Sequence, residues 1–168
     1  MFNKIDKLTE SEFVEVFGNI FENASWIAKK LYKQKPFKNF QNLSEKMISI
    51  FDKTDNKNKL KILNSHPDLA DKTKIGSLTP DSNKEQSNAG LDQCSEEEFN
   101  EFKSLNLKYK NKFGFPFIIK VKGKSRKEIL LNFKKRILCN KKIEYEEAIR
   151  QVKHIANSRL DELEIKLL

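Results

Sequence analysis

The sequence predicts an all-α fold: a single-domain helical bundle over residues 1–168, with one long ordered loop and one short apolar extended strip. Three observations carry this expectation. Apolar residues recur at helical spacing along nearly the whole chain, and Ser, Thr or Asn followed three residues later by Glu opens several of those runs. Only 5 Gly and 4 Pro occur in 168 residues, too few for a turn-rich sandwich or barrel. A chain of this length can bury roughly 70% of its unfolded surface, enough for a real core.

Taken in order, Thr9 and Glu12 form a capping-box pair ahead of Phe13, Val16, Phe17, Ile20 and Phe21. A short helix around Trp26 to Tyr32 ends at Pro36. Asn42 with Glu45 opens another, carrying Leu43, Met47, Ile50 and Phe51. Leu60 and Leu63 mark a fourth, which must stop by His66 because Pro67 follows. Residues 66–91 then form the long loop, with two of the four prolines, two of the five glycines and the aliphatic anchors Leu69, Ile75, Leu78 and Leu91. Ser95 with Glu98 caps a long helix bearing Phe99, Phe102 and Tyr109, and Gly114 is its C-terminal stop. Residues 113–121 (FGFPFIIKV) are the apolar strip, with Pro116 barring a helix through its middle. Ser125 with Glu128 starts the next helix, and the last runs from about Ile143.

Composition excludes several functions. The longest apolar run is far short of the ~20 residues a membrane helix needs. Asp6 and Glu10 spoil the basic-then-apolar layout of a secretory signal. Cys94 and Cys139 are too few for a disulfide framework or zinc cage, and read as plain thiols. The net charge is +9, yet only four of the 33 basic residues are arginine and the lysines are spread along the chain. That is the pattern of a solvated surface, not of the clustered charge that grips nucleic acid.

Few residues remain to carry chemistry. His154 points away from the apolar stripe of the last helix and reads as a surface histidine. His66 stands at a helix-to-loop junction, held extended by Pro67, where an imidazole can project into a cavity. Arg159 falls within the apolar arc of Ala148, Val152 and Ile155; an inward guanidinium needs an anion, either a structural carboxylate or an anionic ligand. Ser82 and Glu85 match an ordinary capping box, with Gln86 following directly.

His66-Pro67-Asp68 resembles the tripeptide of J-domain co-chaperones, but Leu69-Ala70 follow where that family continues with Lys, and the strip has no place in its fold. A broader resemblance spans nearly the whole chain. HPDLA (His66 to Ala70), LTPDSNKEQSNAGL (Leu78 to Leu91) and KFGFPFIIKVKG (Lys112 to Gly123), in that order, are similar to 2-oxo-4-hydroxy-4-carboxy-5-ureidoimidazoline (OHCU) decarboxylases, which form S-allantoin in urate breakdown. The resemblance implies catalytic roles for His66, Glu85 and Arg159. It implies substrate contacts for Pro67, Ser82, Gln86, Phe117, Ile118, Ile119, Lys120 and Val121, the strip acting largely through backbone groups. Lys120 is a departure, since many relatives carry a small residue there. It also implies a homodimer acting on a small molecule without cofactor or metal, away from nucleic acid and membranes. The ending Lys166-Leu167-Leu168 is not a Ser-Lys-Leu peroxisomal address, so a cytoplasmic location is expected.

Overall fold

A computed structural model describes residues 2–71 and 78–167. The chain is all-α, with no strand among the described residues: α1 (Phe2–Ile5), α2 (Glu10–Phe17), α3 (Ser25–Tyr32), α4 (Phe40–Asp52), α5 (Asn56–Ser65), α6 (Pro80–Asn88), α7 (Glu96–Phe113), α8 (Arg126–Arg136) and α9 (Lys141–Leu167). No helix among the described residues is long and apolar enough to cross a membrane. The chain divides into two compact units, Met1–Ser65 with Lys153–Leu168, and His66–Val152.

In the first unit, α3 packs on both α2 and α4. Its core is aromatic. Phe13, Phe17, Phe21, Phe40 and Phe51 are almost wholly buried, with Phe21 stacked on Phe51 at 4.8 Å and Phe13 against Phe17 at 4.5 Å. The Thr9–Glu12 capping box forms as the spacing predicts, with Thr9 Oγ1 accepting from the Glu12 N–H. Helix α4 begins at Phe40, two residues before the expected cap Asn42. Asn39 is its cap, accepting from the Asn42 N–H at 2.7 Å, and the Asn42 side chain accepts from the Lys38 N–H. In α5 the buried residues are Ile62 and Leu63; Leu60, expected to mark the inner face, is 39% exposed.

The second unit is held by α7 and α8, both opened by the expected capping boxes, Ser95–Glu98 and Ser125–Glu128. Phe102, Tyr109, Phe113, Phe115, Phe117 and Phe133 form its core, with Phe117 stacked on Phe133 at 3.8 Å. Gly114 ends α7 at φ +83°, a left-handed conformation that a side chain resists. Residues 66–91 are more regular than a loop. They contain α6, and a 3₁₀ turn follows at Leu91–Gln93, while Ile75 lies outside the described residues. The expected Ser82–Glu85 capping box does not form. Thr79 caps α6 with Pro80 in its first turn, which places Ser82 inside the helix.

Candidate functional site

The segment after α5 bends at His66, where the sequence led one to expect extended backbone, and is then tied down from two helices. From α6, Gln86 Nε2 donates to the Asp68 carbonyl at 3.3 Å, and its Oε1 accepts from the Ala70 N–H at 3.0 Å. From α7, Asn106 Nδ2 donates to the Leu69 carbonyl at 3.0 Å, and Lys110 Nζ lies 2.6 Å from the Asp68 carboxylate. These bonds hold Ala70 at φ +56°, a conformation that costs a non-glycine residue about 1–2 kcal/mol. Strain of this kind persists only where the surroundings over-determine the backbone. The segment that carries His66 is therefore rigid by construction. His66 itself is half-buried, and its Nε2 atom is shielded from solvent.

Ser82, Glu85 and Gln86 share one face of α6, at the i, i+3 and i+4 spacing that lines side chains up. Ser82 and Gln86 are buried and Glu85 is half-buried. The face points inward, and its Gln86 end is the one bonded to the His66 segment. Both ends of the Gln86 amide are engaged by backbone, so in this structure it positions the loop.

Phe117, Ile118, Ile119 and Val121 are buried, while Lys120 is half-buried. The strip is fastened by residues the sequence reading did not single out. Arg136 Nη1 donates to the Ile118 carbonyl at 2.7 Å, with its guanidinium 4.4 Å from the centre of the Phe117 ring. Its Nε and Nη2 donate to Glu144 Oε1 at 2.8 and 2.5 Å. The Tyr109 hydroxyl donates to the same oxygen. Burial, and then the bond to the Glu144 carboxylate, push the Tyr109 phenol far above its ordinary range. At the other end, the Lys120 N–H donates to Gln151 Oε1 at 2.9 Å. A signal for Glu144 was available: the helical wheel that flags Arg159 also sets Glu144 in line with Ala148 and Val152.

Arg159 belongs to the first unit. It is 7% exposed, as the wheel predicts, and it has a carboxylate partner there. Its Nη1 donates to Glu22 Oε2 at 3.0 Å and to the Asn19 carbonyl at 3.0 Å, and Glu22 is itself 2% exposed. His154 is exposed, and both cysteines are free thiols, as expected. No cluster of three or more His, Cys, Asp or Glu suited to a metal ion occurs among the described residues. A cavity of about 610 Å³ is lined by Asp68, Ala70, Asn106, Leu107 and Lys110; His66, Ser82 and Glu85 do not line it.

Fold and site together define a small all-α protein with a histidine on a pinned, strained segment beside a polar helix face. Within that class, the family model described as OHCU decarboxylase matches residues 6–161. The chain belongs to the OHCU decarboxylase family. It is 34% identical to a 2-oxo-4-hydroxy-4-carboxy-5-ureidoimidazoline decarboxylase of Halalkalicoccus jeotgali, over 97% of this chain and 89% of that protein. A Mus musculus protein of the same name is 33% identical, over 95% and 90% respectively. A uric acid degradation bifunctional protein of Bacillus sp. strain TB-90 is 38% identical over 95% of this chain, which spans only 31% of that longer protein. Among solved structures, an (S)-allantoin synthase superposes with TM-score 0.76 at 24% identity, over 97% of this chain and 54% of that one. An OHCU decarboxylase crystallised in the presence of (S)-allantoin gives 0.69 at 22%, over 93% and 98%. Both share the fold. Neither the nucleic-acid reading nor the J-domain reading is favoured by these matches.

Proposed function

We propose that this chain catalyses decarboxylation of 2-oxo-4-hydroxy-4-carboxy-5-ureidoimidazoline to S-allantoin. Family membership supplies the substrate. The observation that carries the reading in geometry is the Gln86 clamp, which joins two motifs 16–18 residues apart, His66–Ala70 and Ser82–Gln86.

The substrate contains its own electron sink, because the carboxylated ring carbon adjoins a C=N bond. When the bond to the carboxylate breaks, its electron pair forms a C=C bond to the neighbouring carbon. The C=N pair moves to nitrogen, which takes a proton, and CO₂ leaves. The resulting enol gives up its hydroxyl proton and gains one on the ureido-bearing carbon, leaving a carbonyl. The protein's task is to hold the carboxylate perpendicular to the π-system and to deliver the final proton to one face.

His66 is assigned as the general acid/base at the hydroxyl and carboxylate region, with Glu85 orienting it. By resemblance to the family, Ser82 and Gln86 are assigned to the substrate side of α6 and Pro67 to the pocket lining; in this structure the Gln86 amide holds the His66 segment, and the 117–121 strip reads the ureido and lactam edges of the substrate. Arg159 is assigned to the anionic substrate by resemblance to the family, and its bonds to Glu22 and the Asn19 carbonyl fix the angle of its fork. The same resemblance supports a homodimer acting on a freely diffusing small molecule, and the location proposed for it is the cytoplasm.

The test is a circular-dichroism time course on OHCU generated in place from urate by uricase and a hydrolase. Faster appearance of optically active allantoin is expected, and no acceleration over the spontaneous reaction refutes the proposal. His66→Ala and Glu85→Ala should each abolish acceleration with the fold intact. Near-normal turnover in either removes that residue's assigned role.

A further inference from the structure

We infer that Arg136 and Gln151 are positioning residues that anchor one edge of the 117–120 strip, so that the opposite edge, centred on Ile119, is presented to the substrate. The inference rests on the proposed reading of the strip as a substrate-binding element.

The strip runs from Pro116 to Val121 outside any helix. Its two fastened groups are the Ile118 carbonyl, held by Arg136, and the Lys120 N–H, held by Gln151. They are two residues apart. In an extended chain the N–H and C=O of one residue point to the same side and those of the next residue to the other, so groups two apart share an edge. The backbone N–H and C=O groups of Ile118 and Lys120 therefore share the edge held by Arg136 and Gln151, and those of Phe117 and Ile119 point to the opposite edge, whatever the side chains pack against. Among the described residues, neither the Phe117 nor the Ile119 N–H donates a hydrogen bond. Phe117 is 1% and Ile119 5% exposed, so these amides are not bathed in water. A buried N–H without an acceptor is costly, and a ligand that supplies one is favoured by the same amount. The N–H and C=O of Ile119 together match a ligand edge with a carbonyl beside an N–H, as a urea or lactam offers.

The anchors are themselves fixed. Arg136 spends one nitrogen on the strip and two on Glu144, which is fully buried and also accepts from Tyr109. Its guanidinium lies over the ring of Phe117, so backbone and side chain of the strip are gripped together. Gln151 donates from Nε2 to Glu147 Oε1 at 2.7 Å, which orients its Oε1 toward Lys120. Lysine at 136 retains the charge but cannot bond Glu144 and the Ile118 carbonyl in one plane.

The experiment pairs kinetics with amide spectra. Gln151→Ala alters a half-buried side chain and Arg136→Lys keeps the buried charge, so both variants are expected to fold. Loosening either anchor should raise KM for OHCU roughly tenfold, with kcat within about twofold. A merely structural role would lower the melting temperature and the active fraction, which scales kcat and leaves KM alone. Tyr109→Phe, which leaves both anchors in place, should keep KM within about twofold. In ¹⁵N spectra of the wild-type protein titrated with (S)-allantoin, the Ile119 and Phe117 amides should shift more than those of Ile118 and Lys120. Wild-type KM in folded Gln151→Ala and Arg136→Lys, or a shift pattern led by Ile118 and Lys120, overturns the inference. Absence of OHCU turnover by the wild-type protein instead overturns the proposed function.

Discussion

Glu22→Gln isolates what the buried carboxylate contributes to holding Arg159. The two side chains are 2% and 6% exposed and meet at 3.0 Å, so little solvent screening applies. Breaking such a pair by removing one charge costs about 3–5 kcal/mol, because the remaining ion stays buried. Glutamine keeps the shape and one neutral hydrogen bond worth about 1 kcal/mol, which places the expected loss at about 2–4 kcal/mol. For 168 residues the unfolding entropy near the midpoint is about 0.35 kcal/mol per degree, so Tm should fall by about 6–11 °C. The assay is thermal and urea unfolding followed by circular dichroism, with Arg159→Met and the double variant completing a cycle. A coupling energy above about 1.5 kcal/mol is expected. A Tm within one or two degrees of wild type would refute the argument that Glu22 neutralises Arg159. Activity per folded molecule of Glu22→Gln then separates holding from binding. If Glu22 only fixes the angle of the fork, kcat/KM should fall less than in Arg159→Lys, where the fork itself is lost.

Four further outcomes are expected. Ala70→Gly removes the left-handed strain at φ +56° and should stabilise the protein by up to about 1 kcal/mol in urea unfolding, whereas Gln86→Ala should cost about 2 kcal/mol by freeing the Asp68 carbonyl and the Ala70 N–H; destabilisation by the glycine would contradict the strain. The Ser125 backbone and side-chain bonds hold the Glu128 carboxyl below its usual range, so its capping contribution is present above the unfolded pKa and disappears as pH falls through the folded value. The stability gap between wild type and Ser125→Ala should therefore narrow in acid, and a gap that widens below pH 4 would reverse the sign. Turnover should survive exhaustive chelation and dialysis undiminished, since the electron sink lies in the substrate; metal-restored activity would contradict the scheme.

What the sequence revealed divides by the range of the interaction involved. Capping boxes at Thr9, Ser95 and Ser125 were readable because donor and acceptor lie three residues apart. The start of α4 is ambiguous in the sequence because Asn39 and Asn42 are equally good caps in isolation. At α6, Pro80 decides for Thr79 over Ser82, and that signal was present in the sequence. The inward face of Arg159 was readable from the wheel, but its partner Glu22 lies 137 residues away. The strip was recognisable as extended and apolar, while its anchors come from 18 and 31 residues further along. The left-handed Ala70 and the two helices that hold it leave no local trace, because alanine carries no preference for that conformation.

The scarcity of arginine becomes informative once contacts are known. The basic residues of this chain are overwhelmingly lysine, and three of its four arginines stand where a planar fork reaches a carboxylate and a backbone carbonyl together. Arg136 bridges Glu144 and the Ile118 carbonyl, and Arg159 bridges Glu22 and the Asn19 carbonyl. Arg126 donates from one nitrogen to the Gly90 and Gln93 carbonyls, with Nε 3.4 Å from Glu98. Arg150 alone is well exposed, paired with Glu147 in its own helix. Three of the four thus join a carboxylate to backbone outside the α-helices, a task that suits a planar fork of five donors better than the compact point charge of an ammonium. Each ties down a connection between α-helices: the 117–120 strip, the turn after α2, and the stretch between α6 and α7 with its 3₁₀ turn. The charge excess that looked like a surface property therefore contains, in its rarer member, devices that fix irregular backbone within each of the two units.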